Sequence, residues 1–270
     1  MSTAAGIGRQ GRAELGSVLG SGQRFVTPGD VVEALDVDAE AAAKKLSRWA
    51  AAGWLRRARR GLYIPVPVDA SSPAAWSEDA LIVAAAVWSP CYFTGWTAAN
   101  HWALTEQTFR TTVVKTTGRV RASSVRLLDH DYLLAHVPSA GLEWGIETVW
   151  RGEMRLCIAD PARTVVDILD APRLGGGIRH VAEILAAYLD DNDPATLIEY
   201  GDRLGNRTVF KRLGYIMEVL GQDPVGVIAA CRVRVSAGIS PLDPDGPSRG
   251  RRVTRWGLRV NVRLGPEEPS

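Results

Sequence analysis

Cysteine is scarce in this chain: three in 270 residues, Cys91, Cys157 and Cys231, with no CxxC pair. That spacing excludes a disulfide framework and a zinc-finger ligand set, and reads as free thiols in a reducing cytosol. Histidine is nearly as rare, at 101, 130, 136 and 180. The longest apolar run, Ala80 to Trp88, has nine residues, less than half of the about 20 that a membrane span needs. Arg9 and Arg12 are followed by no apolar h-region, so no secretory signal and a cytoplasmic location are expected. Lysine is limited to positions 44, 45, 115 and 211 among 32 basic residues, which reads as a GC-rich coding bias.

What is present is an ordinary globular composition, 46% hydrophobic and 23% charged, which excludes a disordered acidic or collagen-like chain. At roughly 150 residues per domain, one large domain or two smaller ones are expected. The net charge of +2 says nothing by itself, but it is unevenly spread. Residues 1–68 carry ten basic and six acidic residues, and 38–61 carry seven basic against Asp38 and Glu40. A basic block at one end of a near-neutral chain is the electrostatic footprint of a nucleic-acid module. A solvated helix face followed by a charged turn is the plain alternative, and local pattern has to decide.

That pattern is a winged helix-turn-helix. Thr27-Pro28 reads as N-cap and first helical residue of a short helix ending at Leu35. Asp36-Val37-Asp38 is a turn, with Asp38 capping a second helix over 39–52. Ala39, Ala42, Ala43, Leu46, Trp49 and Ala50 form its expected buried stripe. Ala41, Lys44, Lys45 and Arg48 fall on another face, small and cationic, suited to a major groove. Trp54–Ala58 and Leu62–Val66 read as a hairpin about Arg59-Arg60-Gly61. With Arg56 and Arg57 behind its tip, this hairpin fits a wing lying along phosphates. Winged helices also serve as protein-interaction modules; the four arginines favour DNA.

Pro65, Pro67, Ser71, Ser72 and Pro73 read as a linker, giving domains 1–68 and 69–270. Beyond it, Ser77-Glu78-Asp79 caps a helix to Trp88, and a second helix spans about Thr94 to Leu104. Strands are expected at 110–115, 125–128 and 133–137, with a hairpin over 146–158. Helices follow at about 160–170, 178–189, 194–204 and 208–220. The tail 253–263 alternates as a half-buried strand. The fold class is therefore α+β: a winged helix, then a larger mixed α/β domain.

The order RRGLYIPVP, FTGWTAANHWAL, IADPARTVVDIL, FKRLGYIMEVLG and PLDPDGPSRG…RWGLRVNV resembles the antitoxins of the abortive-infection E system, the AbiEi-like type IV toxin–antitoxin family, over about 25–262. The resemblance implies an N-terminal winged helix that binds double-stranded DNA of its own promoter and represses transcription. It also implies a C-terminal antitoxin domain countering a nucleotidyltransferase-like toxin encoded next door. By position it assigns Lys44, Lys45 and Arg48 to the recognition helix and Arg56, Arg57, Arg59 and Arg60 to the wing. Ala98-Ala99, Arg163, Asp167, Arg212 and Tyr215 fall in segments that look structural. Some relatives are regulators without an antitoxin role. Others carry a nuclease-like domain, whose carboxylate–carboxylate–lysine cluster is not evident here.

Other chemistry reads as bland. Asp129-His130-Asp131 with His136 matches no trusted metal spacing, and Gly175-Gly176-Gly177 lacks the Lys-Ser/Thr of a triphosphate loop. Cys91 reads as a core thiol, and the tryptophans as core rather than base-stacking platforms. No catalytic centre, metal or cofactor is expected. A nucleic-acid-processing enzyme with a substrate-delivering winged helix is the alternative. Arg249, Arg251, Arg252, Arg255, Arg259 and Arg263, with no acidic residue in 248–263, form a second phosphate-contacting strip, a surface for an acidic partner or the toxin's RNA substrate, or a solvated edge strand protected by charge.

Overall fold

The computed structural model describes residues 8–20, 23–67, 78–223 and 226–264. Contacts divide the chain into a unit of Met1–Ser89 with Arg126–Asp131 and a unit of Pro90–Val125 with Tyr132–Ser270. The 68/69 boundary, Ser71, Ser72, Pro73 and Ser77 lie outside the described residues.

The first unit opens with three helices, α1 (Arg9–Leu19), α2 (Pro28–Leu35) and α3 (Ala39–Ala51). Thr27 and Asp30 form a reciprocal capping box at α2, satisfying two orphan donors at once. The Asp38 carboxylate accepts from Ala41 N at 2.7 Å and so starts α3. Between them Asp36 adopts φ +49, the left-handed conformation that ends α2 and turns the chain. An antiparallel hairpin, β1 (Leu55–Arg59) and β2 (Leu62–Pro65), follows. Val26, just before α2, exchanges both backbone hydrogen bonds with Tyr63 of β2, at 2.8 and 2.9 Å. This ties the hairpin to the start of the helical pair. Leu15, Val18, Val31, Leu46, Trp49 and Leu55 share the core. α4 (Ala80–Trp88), N-capped by Asp79, completes the unit.

The second unit holds most of a six-stranded sheet of β3 (Cys91–Phe93), β4 (Thr111–Thr116), β5 (Ser124–Leu127), β6 (His130–His136), β7 (Ile146–Arg151) and β8 (Met154–Ala159). Its order is β5-β6-β4-β3-β8-β7. β3 is parallel to β8 and antiparallel to β4. The helices are α5 (Gly95–His101), α6 (Pro161–Asp170), α7 (Ile178–Asp191), α8 (Ala195–Leu204), α9 (Thr208–Leu220) and α10 (Val227–Arg232). A second sheet joins β9 (Ser240–Pro241), β10 (Arg251–Val253) and β11 (Leu258–Val260). α6 lies at the centre: all eight residues from Ala162 to Leu169 are buried. Its start is the one the sequence announces, with the Asp160 carboxylate accepting from Arg163 N at 2.6 Å ahead of Pro161.

Two expectations need correction. The tail is not one strand: a 3-10 turn at Thr254–Trp256 and Gly257 at φ +58 separate β10 from β11. The alternation counted across 253–263 therefore spans a strand end, a turn and a second strand, and Thr254 is exposed rather than inward. In α3, Ala39 and Ala43 are exposed; the buried stripe is Ala42, Leu46 and Trp49. Alanine carries no preference strong enough to mark a buried face by itself.

α6 also carries charge into the core. Arg163 and Asp167 are fully buried and Lys115 of β4 is 5% exposed. Asp167 Oδ1 accepts from Lys115 Nζ at 2.8 Å and from Arg163 Nε at 3.0 Å. Its Oδ2 accepts from the Tyr92 hydroxyl and from Thr94 Oγ1, both at 2.8 Å. The Arg163 guanidinium lies 3.5 Å from the Trp144 ring centroid. Gly145, at φ +62, leaves room for it: a Cβ there would stand 2.8 Å from Arg163 Cβ. Burial pushes the Asp167 carboxyl up, but the adjacent Lys115 and Arg163 charges outweigh it and hold the group below its ordinary value.

Asp167→Asn leaves two buried cations without their counter-charge. It should destabilise the protein by about 3–5 kcal/mol at neutral pH, read from urea unfolding midpoints. Because the folded carboxyl is depressed, its contribution is complete above the unfolded pKa of about 4 and is lost as pH falls through the folded value. The gap between wild type and Asp167→Asn should therefore narrow below about pH 4; a gap that widens there contradicts the assignment.

Candidate nucleic-acid interface

The sequence-predicted site residues all lie in the first unit, apart from the tail arginines. On α3 the exposed residues are Ala39, Glu40, Ala43, Lys44, Ser47, Arg48 and Ala51, which recur at helical spacing and make one face. Lys44 and Arg48 belong to it. Ala41 and Lys45 sit on its half-buried flank. Lys45 Nζ meets Glu14 Oε2 of α1 at 2.6 Å, and this hydrogen bond holds the Glu14 carboxyl below its ordinary value. Lys44 makes an exposed i,i+4 pair with Glu40 at 2.7 Å, a contact worth only about 0.3–0.5 kcal/mol. A polyanion can displace such a contact readily. Sequence reasoning missed Ala43 and Ser47 on this face, and the 3.6-residue period running through Lys44 and Arg48 is the signal that locates them.

The wing is a two-residue turn, Arg60-Gly61, with Gly61 at φ +76. Arg59 is the last residue of β1 rather than part of the turn. The register slips between Arg57 and Arg59, a bulge that accommodates one extra residue in β1. Ala58 turns inward while Arg57, Arg59 and Arg60 stay exposed. Arg56 is different. It is half-buried, and its Nη2 donates to Asp129 Oδ2 at 2.8 Å. That pairing holds the Asp129 carboxyl below its ordinary value.

The Asp129-His130-Asp131 cluster thus has structural partners within the first unit. Besides the Arg56 pair, His130 Nε2 meets the Glu78 carbonyl at 2.8 Å, and Asp131 faces Arg126 at 3.7 Å. Outside it, His136 Nδ1 lies 3.4 Å from the Gly118 carbonyl. Among the described residues, no group of three or more His, Cys, Asp or Glu side chains is arranged to hold a metal.

The three glycines at 175–177 end a 3-10 turn over Pro172–Gly175, with Gly176 at φ +83 and Gly177 at φ +96. The N-terminus of α7 that follows already has an anion. Asp243 Oδ2 accepts from Ile178 N at 2.9 Å, where a phosphate-cradling loop would leave that donor open. In the second unit Lys115 and Asp167 do bring a lysine to a carboxylate, but around a single carboxylate sealed from solvent. Arg212 is likewise held as a staple, donating to the carbonyls of Leu242, Leu169, Asp170 and Pro241. Cys91 lies in β3, and Trp256, with its Nε1 on Glu218 at 2.7 Å, fills the core.

The tail arginines are spread over both faces of their hairpin. Arg249, Arg251, Arg252 and Arg255 are exposed. Arg252 stands opposite Arg259 and Arg251 opposite Val260, so adjacent arginines of β10 point to opposite sides. Arg255 is paired with Glu218 at 2.6 Å.

Residues 17–66 match the family described as "Transcriptional regulator, AbiEi antitoxin". The match runs from the end of α1 through the wing and so contains both faces just described. The chain is also similar to a solved structure titled as the RV2827C protein from Mycobacterium tuberculosis, with a TM-score of 0.63 at 14% identity. That likeness covers 95% of this chain and 93% of the other, and it shows a shared fold. No curated protein matches the sequence. No helix among the described residues is long and apolar enough to cross a membrane.

Lys45→Ala should cost about 0.5–1 kcal/mol of stability, because it unties α1 from α3, and Lys44→Ala close to nothing. Thermal unfolding of the two variants checks this; equal effects would contradict the different settings of the two lysines.

Proposed function

We propose that the chain is a DNA-binding transcriptional regulator of the antitoxin type, acting on its own promoter. The observation that supports it best is the exposed cationic set of Lys44 and Arg48 on α3 with Arg57, Arg59 and Arg60 on the wing, inside the segment that matches an antitoxin regulator family. In this reading α3 enters the major groove, where Arg48 reaches a base edge or phosphate, Ser47 can bond either, and Ala43 allows close approach. The wing arginines contact phosphates, and Lys45 and Arg56 hold the helix and hairpin in place. The second unit carries the antitoxin role, countering a nucleotidyltransferase-like toxin in the cytoplasm.

A gel shift on the chain's own upstream DNA, against random duplex at ~150 mM salt, tests the regulator reading. Preference for the upstream DNA supports it; equal affinity for both duplexes overturns it. Arg48→Ala should cost about 1–3 kcal/mol at the operator, with Lys45→Ala costing less. Arg59→Ala should weaken all duplexes alike and reduce the slope of log affinity against log salt by about one. The antitoxin role is tested separately. An Arg59→Ala/Arg60→Ala double variant, expressed from an unrelated promoter, should lose repression yet still rescue growth of cells making the neighbouring toxin. Rescue that disappears together with DNA binding argues for a regulator alone.

A further inference from the structure

β7 is the last strand of the six-stranded sheet. Such an edge is a template for another strand, and proteins usually blunt it with proline, charged side chains or a bulge. β7 reads Ile146-Glu147-Thr148-Val149-Trp150-Arg151 and has neither proline nor bulge, its register with β8 being continuous from Ile146↔Ala159 to Arg151↔Met154, and its two charges, Glu147 and Arg151, are of opposite sign. It also carries Trp150, 63% exposed. The Arg155 guanidinium lies 6.0 Å from its ring centroid and leaves most of the indole in solvent.

The backbone shows which groups the edge offers. Asp160 N donates to Gly145 O at 3.0 Å, directly across the β7–β8 ladder. Hydrogen-bonded and non-hydrogen-bonded pairs alternate along an antiparallel ladder. Glu147, Val149 and Arg151 therefore bond to β8, while Ile146, Thr148 and Trp150 aim their N–H and C=O outward. The side chains of Glu147, Val149 and Arg151 share one sheet face and those of Thr148 and Trp150 the other. Both Glu147 and Arg151 lie near enough to His101 to act on its charge, and neither has an ion-pair partner among the described residues.

The segment is self-complementary when it pairs antiparallel with a copy of itself about a twofold axis at Val149. Thr148 then faces Trp150 of the copy, so their outward N–H and C=O groups make four backbone hydrogen bonds. Glu147 faces Arg151 of the copy on both sides of the axis. The two Trp150 rings become diagonal neighbours on one face, within reach of each other. Neighbouring registers fail: an axis at Glu147 sets that carboxylate opposite itself, and one at Thr148 sets it opposite Val149. We propose that β7 is a homodimerisation edge, and that its partner is β7 of a second copy of this chain, joined in an isologous twofold pair. The proposal goes beyond the DNA-binding reading and stands without it.

Sedimentation velocity on the full chain tests it over a concentration series from micromolar upward. The expected result is a monomer–dimer equilibrium. Glu147→Arg and Arg151→Glu each place like charges opposite one another twice in the dimer, and each should weaken self-association about tenfold. Mixed together, the two variants should form a heterodimer, since every facing pair is then of opposite sign. The double variant Glu147→Arg/Arg151→Glu should restore the homodimer. Thr148→Pro removes an outward N–H while leaving the β7–β8 ladder complete, and should abolish association with an unchanged circular dichroism spectrum. Three results overturn the proposal: a wild type that stays monomeric throughout, single charge variants that dimerise like wild type, or a mixture that gives no heterodimer. The charge variants sit at an exposed edge and keep the test decisive if Thr148→Pro does not fold.

Discussion

The second unit depends on one carboxylate. Asp167 brings β3, β4 and α6 to a common point, because its four acceptor contacts come from Tyr92, Thr94, Lys115 and the Arg163 of its own helix. Removed from water, each partner would cost free energy to bury; together they satisfy one another, apart from a surplus positive charge. That surplus is met around the Arg163 guanidinium, which lies on the face of the Trp144 ring and donates to the Trp144 carbonyl and the Tyr92 hydroxyl. A hydrophobic cluster in the same place could stabilise as much, but it would tolerate sliding of β3 against α6. The directional bonds fix the register of a three-residue strand too short to fix its own.

The first unit solves a different problem with the same chemistry. It must hold a helix and a hairpin firmly while leaving their cations exposed. It does so by dividing the cations: Lys45 and Arg56 are tied to Glu14 and Asp129, while Arg48, Arg57, Arg59 and Arg60 remain exposed. A basic count over 38–61 cannot distinguish these two groups, although only one of them is exposed to solvent. The backbone link from Val26 to Tyr63 complements the division, since it orients the wing without using a side chain.

Much of the architecture was legible because its punctuation is local. Thr27-Pro28, Asp38, Asp79 and Asp160-Pro161 are capping signals confined to a few residues, and each starts a helix where the spacing says. The hairpin expected over 146–158 was equally readable, and its turn lies at Gly152-Glu153. What escaped is non-local or very short. β3 has three residues between two helices, too few for any period to show. The partners of Asp167 lie up to 75 residues away, and Lys115 looks like an ordinary strand cation until the fold buries it. Glu14 and Lys45 are 31 residues apart, so no spacing rule joins them. The anchoring of the helix after Gly175 to Gly177 was hidden because the side chain that fixes it, Asp243, is 65 residues further on from Ile178.

The bulge at Ala58 has a consequence for how this protein can change. Side chains alternate along a strand, so the orientation of each arginine depends on the number of residues before it. Substitution at 57, 59 or 60 alters one contact and leaves the hairpin intact. Loss of Ala58 would instead make Arg57 and Arg59 successive residues of a regular ladder, where they point to opposite faces, so one of the two would leave the exposed side. The two arginines share an exposed side only because of the extra residue between them, so side chains here can change one at a time while the length of β1 sets which of them stay exposed.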